Sequence, residues 1–374
     1  MNSDSRPLIL HVINSLEGGG TERTLVALLR ALPSDRWRHA VVTLRDAGSL
    51  SAELPDHVSC RPLAAGPRSP LAGLRLARLA RSNGAAVIHA RNTGCWWDAL
   101  VAKLFTSHAK LVLGFHGLMQ AGPLPSRRRR IAQMSAAVGA RFTSVSQAGR
   151  RRLHEEVGVP LERINVLPNG ILPKSLSQPT SATREKVRLG LGLPESSWVV
   201  GIVGSLTPVK GHASLITAAA SALTAVPNLH LLIVGDGPMR DVLMRLARQA
   251  GMADRICFTG WREDVPATLA AIDVYVCSST TEEMNNSLLQ ALAAGLPIIA
   301  TDVGDNARII RDDLDGRIVR PSSEAIAAAL TELAGDTSTQ RRFAAAALAR
   351  SRDFGFGKTA VAYQQFYDAL IAGT

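Results

Sequence analysis

Val199-Val200-Gly201-Ile202-Val203-Gly204-Ser205-Leu206-Thr207-Pro208-Val209-Lys210-Gly211 contains the pattern on which the rest of the chain is built. An apolar run stops at a glycine, and a polar turn then leads into a helical stretch. A short run that is apolar at consecutive positions, without alternation, marks a strand covered on both faces. Such strands sit in parallel sheets and are joined through helices. The same unit recurs downstream at Leu231-Leu232-Ile233-Val234, Val274-Tyr275-Val276 and Pro297-Ile298-Ile299-Ala300, and upstream at Leu8 to Ile13, Ala40 to Leu44, Ala86 to His89 and Lys110 to Leu113. Between the two series the pattern breaks at Leu172 to Thr183, where Pro173, Pro179 and several Ser and Thr residues form a linker. The chain therefore reads as α/β, with two Rossmann-like doubly wound domains at 1–172 and 184–357. A last amphipathic helix at about 358–374 places Tyr363, Phe366, Tyr367 and Leu370 on one face. A face this aromatic is expected to dock, with the first domain as the candidate surface.

The 374 residues suit two cores, and 46% hydrophobic with 20% charged residues is ordinary globular composition. No apolar run reaches the roughly 18–20 residues of a membrane helix. Met1 to Pro7 lacks a secretion-type apolar core, which predicts a cytoplasmic protein. Cys60, Cys95, Cys257 and Cys277 are not paired at metal-ligand spacing and are expected to be reduced, mostly buried thiols. The net charge of +11 is unevenly placed. Residues 1–175 carry 24 Lys and Arg against 11 Asp and Glu, whereas residues 176–374 carry 18 against 20. A basic first half implies an anionic partner for that half.

Parallel-sheet domains bind ligands beyond the carboxyl ends of their strands. In the first half, Gly18, Gly19 and Gly20 follow the first strand, and a helix begins near Thr21. Backbone without side chains at a helix start can approach and hydrogen-bond an anion. In the second half, Gly204 and Ser205 open a loop whose Lys210 is placed to reach a diphosphate as a point charge. Gly235-Asp236-Gly237-Pro238 and Thr301-Asp302-Val303-Gly304 end two further strands. The phosphate loop of nucleotide triphosphatases and the complete Gly-x-Gly-x-x-Gly dinucleotide fingerprint are both missing.

The most specific segment is Ser278-Ser279-Thr280-Thr281-Glu282-Glu283-Met284-Asn285-Asn286-Ser287-Leu288-Leu289-Gln290-Ala291-Leu292-Ala293-Ala294-Gly295-Leu296-Pro297. A strand ends in hydroxyls, a carboxylate follows, and a helix is expected from about Asn286 to Ala294. The first turn of that helix, at Asn286, Ser287 and Leu288, should present free N–H groups and the positive dipole end. Carboxylates and amides for hydroxyls beside N–H groups for phosphate form a mixture that a sugar nucleotide requires.

This segment resembles the signature of retaining glycosyltransferase family 4. That signature is a Glu, seven residues, a second Glu, then Ala-x-Ala-x-Gly-x-Pro. Glu282 matches the first acid, and Gln290 stands at the second. Asn14 to Arg23 resembles the family's N-terminal glycine loop, Val166 to Ile171 the segment closing the first domain, Gly204 to Gly211 the phosphate loop, and Gly235 to Pro238 the next turn. The resemblance implies the GT-B architecture, with two Rossmann-like domains facing across a cleft and the final helix returning to the first. It implies a UDP- or GDP-sugar donor on the second domain and an acceptor on the first. Glu282 would contact sugar hydroxyls, Lys210 the diphosphate, and His116, in Phe115-His116-Gly117, the sugar from the first domain. Ser205 stands where the family commonly has Arg, and Gln290 replaces the acid expected at the ribose, so both departures remove charge from donor binding. Arg308 and Arg262 are the candidates for a replacement cation.

His89 and Arg91 end a first-domain strand and are candidates to touch acceptor. Asp313 and Asp315 imitate a metal-binding Asp-x-Asp pair but sit in a polar turn, and no required metal or other cofactor is expected. Arg127-Arg128-Arg129-Arg130 follows the apolar loop Leu118 to Leu124 and precedes Ile131, Met134 and Val138 on one helical face, with Arg150-Arg151-Arg152 beyond. This arrangement predicts peripheral contact with an anionic membrane surface. With 4% aromatic residues and no recognition motif, nucleic acid is not an expected partner. The leading expectation is a retaining transferase acting on a lipid-linked or polysaccharide acceptor. A small soluble acceptor such as a sugar phosphate, or a non-catalytic binder of nucleotide sugar, are the alternatives.

Overall fold

The computed structural model describes residues 5–65, 69, 71–117, 122–172 and 180–373. Most of the linker and residues 118–121 of the apolar loop lie outside the described residues. The chain divides into two compact units. One comprises residues 1–117, 123–169 and 356–374, and the other 118–122 and 170–355.

The first unit is a seven-stranded parallel sheet. Its strands are β1 (Leu8–Ile13), β2 (Arg38–Thr43), β3 (Ser59–Pro62), β4 (Ala85–Ala90), β5 (Lys110–Phe115), β6 (Arg141–Ser144) and β7 (Ile164–Val166), in the order β3-β2-β1-β4-β5-β6-β7. The order reverses between β1 and β4, which is where a doubly wound sheet opens a crevice at its carboxyl edge. All six residues of β1 are buried, as a strand covered on both faces requires. Helix Phe356–Ala372 belongs to this unit and buries Phe356, Thr359, Ala360, Tyr363, Phe366, Tyr367 and Leu370. These positions recur every three or four residues, so they form one stripe along the helix.

The second unit is a six-stranded parallel sheet of β8 (Trp198–Val203), β9 (Leu229–Val234), β10 (Ile256–Gly260), β11 (Val274–Cys277), β12 (Ile298–Thr301) and β13 (Arg317–Val319). The order is β10-β9-β8-β11-β12-β13, and the reversal falls between β8 and β11. Val200, Ile202, Leu231, Ile233, Val274, Val276 and Ile299 on the strands pack with Leu215, Ile216, Ile326 and Leu330 on covering helices. These strand positions alternate and lie in register, so they fill one face of the sheet. The intervening Val199, Leu232, Tyr275 and Ile298 are fully buried on the other face, and the polar loops are left at the sheet's ends.

β3, β10 and β13 did not stand out in the sequence. All three lie at sheet edges and have no fully buried residue. An edge strand faces a neighbour on one side only and does not need an unbroken apolar run. β6 is internal, but Arg141-Phe142-Thr143-Ser144 buries a Thr and a Ser beside its single large apolar residue.

Candidate active site

The loops leaving β8, β11 and β12 converge within the second unit. After β8 the chain makes a one-turn helix at Pro208–Lys210, passes Gly211 and enters helix His212–Ala222. Gly211 has φ +68°, and a Cβ there would meet the Ser278 carbonyl oxygen at 1.8 Å. Only glycine lets these two loops touch backbone to backbone. Gly304, after β12, repeats the device with φ +58° and 2.0 Å to the Glu282 carbonyl oxygen. The segment carrying Glu282 is thus held between two glycine contacts. The loops after β8 and β9 are tied as well, since Gly204 N–H donates to the Val234 carbonyl and Leu206 N–H to that of Asp236, both at 2.9 Å.

Lys210 and Glu282 meet in this frame. The Lys210 ammonium donates to Glu282 Oε1 at 3.0 Å and to Oε2 at 2.7 Å. Their side chains are 22% and 10% exposed, so the pair sits at the lip of the loops with one side open. Ser279 Oγ–H donates to Glu282 Oε2 at 2.9 Å, and Asn285 Nδ2–H reaches the same oxygen at 3.3 Å. Three donors orient one carboxylate, and the ammonium keeps a proton for another acceptor. His212, two residues on, is buried. Desolvation first, then the Lys210 charge, pulls its pKa down to about 4, so its ring stays neutral and Lys210 remains the local cation.

The helix foreseen from the sequence runs from Asn286 to Ala293. Its first turn differs from expectation. Asn285 is the N-cap, and its Oδ1 accepts from Ser287 N–H at 2.9 Å and Leu288 N–H at 3.1 Å. Those two N–H groups are therefore capped, because an Asn before a helix satisfies the donors that lack an intrahelical partner. One residue thus caps the helix and orients Glu282. The sequence signal for it is an Asn directly before a helical pattern. Ser279 was equally legible only as a strand-end hydroxyl. Gln290 lies half-buried in the middle of the same helix.

Ser205 is exposed and has no basic neighbour within its own loop other than Lys210. Of the two candidate replacement cations, Arg262 is engaged by Asp264 through two contacts at 2.8 and 2.6 Å. Arg308 is exposed on the short helix after Gly304, and its one ion-pair partner among the described residues is Asp305, at 3.8 Å. Both carboxylates of the Asp-x-Asp turn are held by arginines. Asp315 is fully buried and binds Arg311 through its backbone N–H and its guanidinium, each at 2.6 Å, while Asp313 faces Arg317 and Arg342.

In the first unit, Gly18, Gly19 and Gly20 make the turn from β1 into helix Gly20–Ala31, with Gly19 as its N-cap. Arg23 donates to the Gly18 carbonyl at 3.2 Å, which braces the turn. His116 follows the carboxyl end of β5 and is half-buried. Desolvation, then the nearby Arg91 guanidinium, holds it at a pKa of about 3, so it can hydrogen-bond as a neutral ring. Arg127 and Arg130 are exposed on helix Ser126–Ala137, and Arg128 and Arg129 are half-buried.

His89 and Arg91 are placed differently from the expectation that they touch acceptor. Both are fully buried. His89 Nδ1 meets the Tyr367 hydroxyl at 2.8 Å, Arg91 donates to the Tyr363 hydroxyl at 3.0 Å, and the guanidinium lies over the Tyr363 ring. They bind the C-terminal helix to the sheet. Alternation along β4 turns both to the face that this helix covers, beside His11 of β1 and, through His11, His39 of β2. Burial is the largest cause lowering all three histidines, to about 4 for His39.

Residues 183–350 match the family described as glycosyl transferases group 1, and residues 18–174 match glycosyltransferase family 4. The chain is similar to 2-deoxystreptamine glucosyltransferase of Streptomyces kanamyceticus, with 32% identity over 44% of this chain and 43% of that one. It is similar to UDP-Gal:alpha-D-GlcNAc-diphosphoundecaprenol alpha-1,3-galactosyltransferase of Escherichia coli, with 30% identity over 44% of this chain and 43% of that one. The chain thus matches less than half the length of each of these two relatives. Among solved structures it is similar to Anabaena HepE in complex with UDP-glucose, with a TM-score of 0.85, 23% identity and coverage of 98% and 99% of the two chains. That likeness gives the fold, GT-B.

Proposed function

The chain belongs to the group 1 glycosyl transferases, and we propose that within that family it is a retaining enzyme that moves a sugar from a nucleoside diphosphate sugar to a lipid-linked or polysaccharide acceptor. The observation that carries this reading is the Lys210–Glu282 pair, oriented by Ser279 and Asn285 at the carboxyl edge of the second sheet. A diphosphate leaving group needs a cation that is already in place when negative charge develops on it, and such preorganised charge is the largest catalytic contribution in many enzymes. Lys210 supplies the cation. Glu282, whose oxygens already accept from three donors, is held ready for sugar hydroxyls. His116, neutral, offers one ring nitrogen as donor and one as acceptor to a hydroxyl. The basic first unit and the relative acting on a diphosphoundecaprenol-linked sugar support an anionic, lipid-linked acceptor, and with it peripheral attachment to the cytoplasmic face of a membrane. No helix among the described residues is long and apolar enough to cross a membrane.

The test has two parts. A thermal-shift series with UDP, GDP and ADP should single out one nucleotide. A ligand at 100 times its dissociation constant stabilises by about 2.7 kcal/mol, on the order of 5 °C or more for a domain of this size. Transfer from the corresponding sugar nucleotide is then followed by proton NMR, where retention shows as a product with the donor's anomeric configuration. Inversion refutes the retaining assignment, and binding of the nucleotide without any turnover identifies a binder in place of an enzyme.

A further inference from the structure

The helices that follow β4 and β5 leave an open groove on the first unit. Helix Trp96–Leu104 starts just beyond the carboxyl end of β4, after the turn Thr93–Cys95, and helix Ser126–Ala137 follows β5. Trp97, Ser126, Arg127, Arg130, Ile131 and Met134 line the groove, whose volume is about 260 Å³. Ile131 is buried at its floor, whereas Trp97 and Met134 stand 41% and 49% exposed on its sides.

The lining is ordered by polarity along one helix. Arg127, Arg130, Ile131 and Met134 are spaced i, i+3, i+4 and i+7, so they share a face. The cations sit in the first turn or two and the apolar side chains follow, the whole set spanning about 10 Å of helix. The cationic end coincides with the N-terminus of the helix, where Pro125 gives no side-chain cap and free N–H groups favour an anion. Arg127 and Arg130 form no salt bridge among the described residues, although Asp98 lies within electrostatic reach of Arg127. On the opposite wall the apolar surface continues. Leu104 is seven residues from Trp97 on the same stripe, and Leu104 and Phe105 are 59% and 55% exposed.

A merely solvated arginine face needs no tryptophan and methionine laid beside it. A pocket for a nucleotide or disaccharide is larger, from about 300 Å³ upward, and fringed with more polar groups. The lining fits an amphiphile whose anionic head sits at one end and whose chain runs to the other. We propose that this groove seats the phosphate-bearing end of a lipid. A phosphate or diphosphate lies on Arg127, Arg130 and the start of helix Ser126–Ala137, and the first stretch of the alkyl chain lies along Ile131, Trp97 and Met134. The remainder of the chain stays in a membrane that Leu104 and Phe105 touch. Both helices begin at the carboxyl edge of the first sheet, so a head group seated here lies on the side of that unit where a doubly wound sheet takes its ligand. The proposal rests on the lipid-linked reading of the acceptor and supplies the site for it.

The full chain is titrated with dodecyl phosphate below its micellar concentration, with inorganic phosphate and with dodecyl maltoside, followed by tryptophan fluorescence and calorimetry. Dodecyl phosphate should bind at least tenfold more tightly than either control, and the fluorescence change should vanish in Trp97→Phe. The double variant Arg127→Ala/Arg130→Ala should weaken dodecyl phosphate at least tenfold and leave the weak binding of dodecyl maltoside in place, whereas Met134→Asp should weaken both. All variants change exposed positions and are checked by an unaltered melting temperature. Equal affinity for dodecyl phosphate and inorganic phosphate, or dodecyl phosphate binding unaltered in the arginine variant, overturns the proposal. Tight, arginine-dependent binding in a protein that transfers no sugar upholds the groove and removes the enzymatic reading. Sugar transfer to a lipid phosphate that is indifferent to both arginines keeps the enzymatic reading and removes the groove.

Discussion

Breaking the Lys210–Glu282 pair tests the frame of the proposed donor site by a quantity that does not depend on knowing the donor. Two unit charges about 4 Å apart attract by roughly 4 kcal/mol at an effective dielectric constant near 20. The net value is smaller, because both groups lose water. An exposed pair nets about 0–1 kcal/mol, whereas removing one partner of a buried pair costs about 3–5 kcal/mol. With side chains 22% and 10% exposed, this pair falls between those limits, so Lys210→Met should destabilise the second unit by about 2–3 kcal/mol. For a domain of this size that lowers the melting temperature by on the order of 5–10 °C. Glu282→Gln should cost less, because the amide oxygen still accepts from Ser279 and from Lys210. In the double variant neither charge is left without its partner, and the cycle should yield a coupling of about 1–2 kcal/mol. The assay is urea unfolding of wild type, both single variants and the double variant at low salt, repeated with saturating UDP or GDP. The nucleotide should reduce the coupling, because its phosphates share the ammonium. A coupling below about 0.5 kcal/mol, the scatter of independent sites, refutes the claim that these residues hold each other in place.

Lys210→Ala should lower turnover about a hundredfold, as removal of one preorganised donor does elsewhere, and Glu282→Ala at least as much, with near-normal rates in both variants removing the pair from the chemistry. Gln290→Glu and Ser205→Arg should each tighten nucleoside diphosphate binding measured by calorimetry, since charged hydrogen bonds are roughly twice as strong as neutral ones. Arg308→Ala should weaken it, because Arg308 is only loosely paired with Asp305, and unchanged affinity there rules Arg308 out as the replacement cation. Stability should fall on acidification from about pH 6.5 to about pH 4. His11, His39 and His89 are held neutral by burial in the fold, whereas the unfolded chain takes up protons near its ordinary histidine pKa. The stabilisation is complete above pH 6.5, and His39 alone would forfeit about 3 kcal/mol by pH 4. Unfolding that is flat across this window contradicts the assignment.

The sequence alone determined the two parallel sheets, the places where their loops gather and the identity of the central acid and lysine. Each of these rests on local pattern. A strand buried on both faces must be apolar almost throughout, as β8 is and as β1 is apart from His11, and a loop that approaches another backbone must be glycine, as at Gly211 and Gly304. Edge strands such as β3 and β13 escaped because a strand with one neighbour is not bound by that rule. What each polar residue touches was decided only in three dimensions. His89 and Arg91 looked like surface groups at a strand end, until a helix more than 270 residues later covered them. Lys210 and Glu282 are 72 residues apart and meet only because β8 and β11 are adjacent at the reversal of the strand order. Asn285 is nearer, yet its cap on Ser287 and Leu288 and its hold on Glu282 depend on the exact path of the loop. Apolar burial is non-directional and leaves its trace in composition and period. A hydrogen bond or ion pair needs two groups within about 3 Å at a set angle, and that distance is a property of the folded chain.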